Sequence, residues 1–165
     1  MKKTALIVVD IQKIYHEFPM LKNSVDLSLF SINSALQFFR QISSPVFFVQ
    51  HADDSFVPEG SPGFELSDAI ECKKDEYRIV KRYPNSFYQT SLAEKLKMEQ
   101  VGLVVICGLA ASKCVMATVQ GAVENGFKAA FLQHGVADIK DSLVQTPYET
   151  CPVVSVDVLK YFLTG

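Results

Sequence analysis

The sequence predicts an α/β fold: a three-layer αβα sandwich in which helices cover both faces of a mainly parallel sheet. Three observations predict it. Short continuous apolar runs of strand length recur along the 165 residues. Segments with helical apolar spacing lie between them, and turn-forming residues mark the junctions. Buried strands alternating with helices are the signature of parallel βαβ units, which need crossover connections.

The first run, residues 5–9, is Ala-Leu-Ile-Val-Val, a strand buried on both faces. Val25, Leu29, Ile32, Leu36 and Phe39 follow at spacings of four and three, which marks an amphipathic helix, with Ser24 or Asp26 as its cap. Pro45 precedes a second strand at 46–49. Residues 52–76 are punctuated by Asp53, Asp54, Pro58, Gly60, Pro62 and Gly63 and read as a surface excursion, with a short helical piece over 66–70. A third strand is expected at 77–80. Ser91 with Glu94 forms a capping-box pattern, and Leu92 and Leu96 give the helix its apolar spacing. Residues 103–107 form the clearest strand. A helix follows from Cys114 to about Glu124, stopped by Asn125-Gly126. Strands at 129–132 and 153–156 complete the set.

The length fits one domain, residues 1–165, large enough to hide roughly 70% of its unfolded surface. Net charge is −2 with no basic segment, which argues against a nucleic-acid partner. No stretch is long and apolar enough to span a membrane, and residues 5–9 are too short for a signal-peptide core, so a cytoplasmic location is expected. The cysteines, Cys72, Cys107, Cys114 and Cys151, show no CxxC pair and no zinc-finger spacing. In a reducing compartment they are expected to be free, with at most one needing a chemical role.

In doubly wound sheets the ligand site lies beyond the carboxyl ends of the strands. Asp10 ends the first strand, Lys81 ends the third, and the fourth leads through Gly108-Leu109-Ala110-Ala111-Ser112-Lys113 into Cys114. Singly, each has a bland reading: a turn residue, a solvated lysine, a small buried hydrophobe. Together, an acid, a cation and a thiol at one sheet edge make a usable set. A helix start and a nearby cation favour the thiolate, and Asp10 can take the thiol proton and return it to a leaving amine. Backbone N–H groups before Cys114 can bind an oxyanion. On this reading Cys114 is the most reactive of the four thiols, with its proton shared among the three groups because Asp10 opposes a second anion.

The segments Val8-Val9-Asp10-Ile11-Gln12, Val80-Lys81-Arg82-Tyr83-Pro84-Asn85-Ser86-Phe87 with Thr90 and Leu92, and Gly108-Leu109-Ala110-Ala111-Ser112-Lys113-Cys114-Val115 with Ala117-Thr118 and Ala122 resemble the isochorismatase-like, or nicotinamidase-related, cysteine hydrolases. The resemblance implies a catalytic triad of Asp10, Lys81 and Cys114. It also implies a cis peptide between Leu109 and Ala110 that aims the N–H groups of Ala110 and Cys114 at the oxyanion. A six-stranded, mainly parallel sheet and a homo-oligomer are further implications.

The departures are informative. Nicotinamidases of this family carry Asp-x-His after the second strand, whereas this chain reads Gln50-His51-Ala52-Asp53-Asp54, and its other histidines are His16 and His134. Two local His ligands cannot be assembled there, so no metal is expected and no cofactor is implied. Relatives that cleave a vinyl ether lack the cysteine, so Cys114 argues against that reaction. After the fifth strand the family often has an Asp where this chain has His134. His51 either faces the substrate or is a hydrogen-bonded structural residue. Tyr15 and Phe87 flank the motifs and either line the pocket or belong to the core. His16 reads as a surface residue.

The leading expectation is a cysteine-dependent hydrolase that cleaves a C–N bond of a small amide, ureido or carbamoyl substrate through a thioester. The alternatives are a catalytically silent binding or scaffold protein on the same fold, and a redox-responsive protein using Cys114 with Cys151 or Cys72.

Overall fold

A computed structural model describes residues 2–164. Six strands, β1 (Lys3–Val9), β2 (Val46–His51), β3 (Tyr77–Lys81), β4 (Val101–Leu109), β5 (Lys128–Ala137) and β6 (Val153–Val154), form one sheet of order β3-β2-β1-β4-β5-β6. Every pairing is parallel. The helices are α1 (Lys13–His16), α2 (Pro19–Gln41), α3 (Leu92–Met98), α4 (Met116–Glu124), α5 (Asp141–Thr150) and α6 (Val156–Leu163).

Period-two alternation divides the strand residues between two cores. Leu6, Val8, Phe48, Val105, Cys107 and Leu132 face α2 and α6, meeting Val25, Leu29, Ile32, Leu36, Phe39 and Leu159. Ile7, Val9, Phe47, Val49, Ile106 and Phe131 face the other way, meeting Leu92 and Leu96 of α3 and Val119 and Ala122 of α4. Each such fully buried side chain contributes about 1.5–3 kcal/mol relative to exposure. The order of winding reverses between β1 and β4, so a crevice opens between their carboxyl ends.

Several sequence expectations are corrected. The helix expected near Ser24 begins earlier, with Pro19 at its first turn, because proline fits that position without losing a bond. Ser24 instead accepts the Asp138 amide at 3.1 Å, and Asp26 accepts from His16 Nε2 at 2.7 Å. His16 is half-buried and not merely a surface residue: its Nδ1 meets Ser67 Oγ at 2.7 Å, so it ties α1 to α2 and to the excursion. Residues 66–70 do not form a helix. Leu66 bridges Gln12 in antiparallel fashion, and turns follow it. Ser91 makes no side-chain cap; Thr90 Oγ1 accepts the Leu92 amide at 3.3 Å. Residues 155–156 leave the last strand, and α6 starts at Val156 with Ser155 accepting the Val158 amide.

The excursion 52–76 is anchored at its end and in its middle. Arg40 of α2 forks onto Glu76 at 2.7 and 2.9 Å. Near the site, the amides of Lys13, Ile14 and Ser67 donate to Glu65, Gly63 and Ile11.

Candidate active site

Three strand ends build the site. Asp10 follows β1 in a left-handed backbone conformation, φ 53°, which interrupts the strand's alternation; its amide still donates to Val49 at 2.8 Å. Lys81 closes β3 on the same side as Ile79 and is paired in register with His51 of β2. Its ammonium lies 2.7 Å from Asp10 Oδ2, and both side chains are almost wholly buried. Removing two ions from water is costly, so the pair persists through direct contact.

Cys114 lies in a π-type turn, Ala111–Val115, that precedes α4, so it does not open the regular helix itself. The amides of Lys113 and Val115 both donate to the Ala110 carbonyl, at 3.0 and 3.1 Å. The peptide between Leu109 and Ala110 is cis. Gly108 just before it has φ 115°, and a Cβ there would strike the Val9 carbonyl, so the close β1–β4 approach requires glycine.

Two polar connections hold this turn. Thr118, fully buried on α4, donates to the Cys114 carbonyl at 2.6 Å and accepts from the Ser86 hydroxyl at 2.7 Å and amide at 3.3 Å. The segment after Lys81 is thereby fastened to the turn bearing Cys114. On the opposite side, Asp138 Oδ2 accepts the Ser112 amide at 2.9 Å and hydroxyl at 2.8 Å.

Asp138 escaped the sequence reading because the fifth strand was expected to end near 132. In fact β5 continues to Ala137 across an irregularity, with Ile106 opposite Phe131 but Gly108 opposite Val136. His134 falls within that irregularity, exposed at φ 58°. The sequence does carry a sign of the acid: Val136-Ala137-Asp138 repeats the apolar-apolar-acid pattern of Val8-Val9-Asp10.

The thiol of Cys114 is pushed up to about 11, first by burial and then by the Asp10 charge, with Lys81 opposing. All three groups therefore act on one another. Asp10 Oδ1, the oxygen turned from Lys81, is buried and has no hydrogen-bond partner. This arrangement can hold a protonated thiol beside an ionised acceptor for its proton.

His51 shares the site: the charges of Lys81 and Asp10 both reach its ring, which is held below the ordinary imidazole range by burial and Lys81. Gln12, fully buried, accepts the His51 amide at 2.8 Å and donates to its carbonyl at 3.0 Å and to Phe64 at 2.9 Å. That role was not evident from sequence. Tyr15 is half-buried, and its hydroxyl is held well above the ordinary range by burial, with Asp10 and Cys114 adding to the shift. Its ring meets Phe56, which also contacts Phe18. Phe87 does not join them. It is buried in the core facing α3 and α4, tilted against Phe127 at 5.9 Å, because the turn after Lys81 carries it under α4.

The other cysteines lie apart and all four thiols are free. Cys107 is buried in β4, its thiol pushed up by burial. Cys151 Sγ lies 3.8 Å from Met116 Sδ, and Cys72, on the excursion, contacts Arg78 of β3. His51 Nε2 and Asp53 Oδ2 stand 3.6 Å apart, but among the described residues no third donor completes a metal-binding group. No described helix is long and apolar enough to cross a membrane.

Comparison with known proteins agrees with this architecture. The chain is 34% identical over 152 residues to the isochorismatase family protein YddQ of Bacillus subtilis, covering 86% of this chain and 83% of that protein. A shorter stretch of 80 residues, 48% of this chain and 38% of the relative, is 31% identical to maleamate amidohydrolase of Pseudomonas putida. The structure of N-carbamoylsarcosine amidase from Thermoplasma acidophilum superposes with a TM-score of 0.82 at 22% identity, over 93% of this chain and 95% of that one. Residues 4–151 match the Isochorismatase domain, and the chain belongs to that family.

Proposed function

We propose that this chain is a cysteine-dependent hydrolase that cleaves the C–N bond of a small amide, ureido or carbamoyl compound. The observation that carries the reading is the buried Asp10–Lys81 pair set against the Cys114 thiol. The names of two relatives, a maleamate amidohydrolase and an N-carbamoylsarcosine amidase, support the same class of bond.

In this reading Cys114 Sγ attacks the substrate carbonyl carbon as its proton passes to Asp10 Oδ1. A raised thiol pKa makes the transfer part of the attack and leaves little standing thiolate. Lys81 stabilises the charge on the reacting groups. The amides of Ala110 and Cys114 receive the oxyanion. On collapse the C–N bond breaks, Asp10 delivers the proton to the leaving nitrogen, and a thioester remains. Water then attacks the thioester while Asp10 takes its proton. The C–S bond breaks, Asp10 returns that proton to the sulfur, and the carboxylic or carbamic acid departs, restoring the thiol.

The same reading places the protein in the cytoplasm, where Cys114 stays reduced, and assembles it as a homo-oligomer. Its test is a panel of amides, ureides and carbamoyl compounds followed by ammonia or amine release. Turnover that disappears in Cys114→Ala supports the hydrolase. Turnover unchanged in that variant removes the nucleophile, and tight binding of a panel member without turnover favours the silent binding protein.

A further inference from the structure

A second group of reactive side chains lies where α1, α2 and the excursion 52–76 meet. The Ser67 hydroxyl stands 2.7 Å from His16 Nδ1, and His16 Nε2 stands 2.7 Å from Asp26 Oδ1. The other Asp26 oxygen accepts from Lys22 Nζ at 3.1 Å. A serine, an imidazole and a carboxylate are thus joined in one line.

The hydrogen bonds assign the protons. Asp26 is kept ionised, its carboxyl held below the ordinary range first by the bond from His16 and then by that from Lys22. An ionised carboxylate only accepts, so the proton of the neutral ring sits on Nε2. Nδ1 is then a lone pair, and the Ser67 hydroxyl donates to it. Serine hydrolases commonly pair the serine with Nε2 and the carboxylate with Nδ1. Here the two nitrogens exchange parts, which leaves the path of the proton unchanged. The serine is held firmly: its amide donates to the Ile11 carbonyl at 2.9 Å, and its carbonyl accepts the Ile70 amide at 3.1 Å. Ser67 is 2% exposed, yet it lines a cavity of about 310 Å³ together with His16 and Ala69. The Ala69 amide reaches Ser67 Oγ at 3.3 Å, so an N–H donor stands beside the hydroxyl. A base, a carboxylate behind it and open space before the hydroxyl are the parts that nucleophilic catalysis requires.

We propose that Ser67, His16 and Asp26 form a second catalytic centre, in which Ser67 is the nucleophile that hydrolyses small uncharged carboxylic esters. The cavity sets the size, since it holds roughly the volume of ten waters. Its walls carry both signs of charge, Lys13 and Lys22 against Glu17 and Asp68, and so favour neither ionic form of a substrate. With one N–H in place for the oxyanion, the centre suits the ester bond over the harder amide. Ser67 Oγ attacks the ester carbonyl carbon as its proton passes to His16 Nδ1, and Asp26 stabilises the imidazolium. The C–O bond to the alcohol breaks, His16 gives its proton to the leaving oxygen, and an acyl-serine remains. Water then attacks the acyl carbon and gives a proton to His16. The bond to Oγ breaks, the proton returns to Ser67, and the carboxylic acid departs. Asp10, Lys81 and Cys114 take no part, so this centre stands or falls apart from the hydrolase reading above.

The test is run in Cys114→Ala, which removes that thiol from the reaction. Hydrolysis of p-nitrophenyl acetate is followed, and a fluorophosphonate traps the nucleophile, with the adduct mapped by mass spectrometry. The adduct should fall on Ser67. Ser67→Ala should abolish it and lower the ester rate roughly a hundredfold. His16→Gln keeps a donor for Asp26 and an acceptor for Ser67 but takes up no proton, so it should remain folded by circular dichroism and lose roughly a hundredfold in rate. Asp26→Asn should lose about tenfold, because water reaches Asp26 and weakens its hold on the ring. Labelling is also read on the wild-type chain, where no substitution disturbs folding. The proposal is overturned by an ester rate unchanged in Ser67→Ala, by an absent adduct or one on residues other than Ser67, or by a folded His16→Gln that keeps its rate; His16 is then a structural tie alone.

Discussion

The reactivity of Cys114 toward an alkylating agent can be worked out from its surroundings. Its pKa stands at about 11 against an ordinary 9.0, with burial the first cause and Asp10 the second. Two units make the thiolate fraction at pH 7.5 roughly a hundredfold smaller. A more basic thiolate is a better nucleophile, which returns about a factor of ten. Iodoacetamide should therefore label Cys114 roughly tenfold more slowly than an ordinary exposed thiol at that pH, before restricted access is counted. The same mapping tests the sequence expectation that Cys114 is the most reactive of the four. The rate should climb with pH and show no plateau through pH 9, as read by mass-spectrometric mapping over time. Asp10→Asn removes the opposing charge while Lys81 stays, so it should speed alkylation even as it abolishes amide turnover. Lys81→Met should slow alkylation. Each variant breaks a buried pair at a cost of about 3–5 kcal/mol, so circular dichroism must first establish that it is folded. A wild-type plateau below pH 9, or slower labelling in Asp10→Asn, would refute this account of the thiol. The linkage has a definite sign: the unfolded thiol loses its proton first, so Cys114 makes stability decline as pH rises from near 9 toward 11.

Thr118→Val should cost about 1–3 kcal/mol in urea unfolding, because Ser86 and the Cys114 carbonyl each lose a buried partner. It should lower kcat more than it changes KM, while Thr118→Ser stays near wild type in both. Gly108→Ala should fail to give folded, soluble protein, since the position combines φ 115° with backbone contact from Val9. Light scattering should report a homo-oligomer, whose contacts would cover such exposed side chains as Leu27, Phe30, Tyr161 and Phe162; a monomer at micromolar concentration contradicts it. Elemental analysis should find no stoichiometric metal and chelation should leave turnover intact, because among the described residues His51 and Asp53 gather no third donor.

What could be read from the chain was whatever local chemistry dictates. The buried strands announced themselves as apolar runs, and from them followed the placement of Asp10, Lys81 and the Cys114 loop at one edge. What stayed hidden depended on contacts distant in sequence. The run 66–70 has helical spacing, yet Leu66 is captured by Gln12 and Ser67 by Ile11, which no local pattern records. The helix α5, which forms with Pro147 inside it, was not read from the sequence at all. The irregularity of β5 hid the acid at Asp138, and Phe87 turned to the core because the segment after Lys81 passes beneath α4. Gln12 and Thr118 were visible as motif letters, but their roles emerge only once His51 and Ser86 are brought beside them.

Strand β3 is the outermost of its side of the sheet and is only five residues long, so Lys81 is carried on an element with a neighbour on one side only. Edge strands open more readily than central ones, which gives the cation a mobility that Asp10, on the central β1, does not share. The unit that must stay closed during a reaction is therefore the β2–β3 ladder. Fraying from Lys81 inward would part the ion pair and expose the thiol without unfolding the domain. Hydrogen exchange at the amides of Ile79 and Lys81 would then report the lifetime of the assembled site, independently of any substrate.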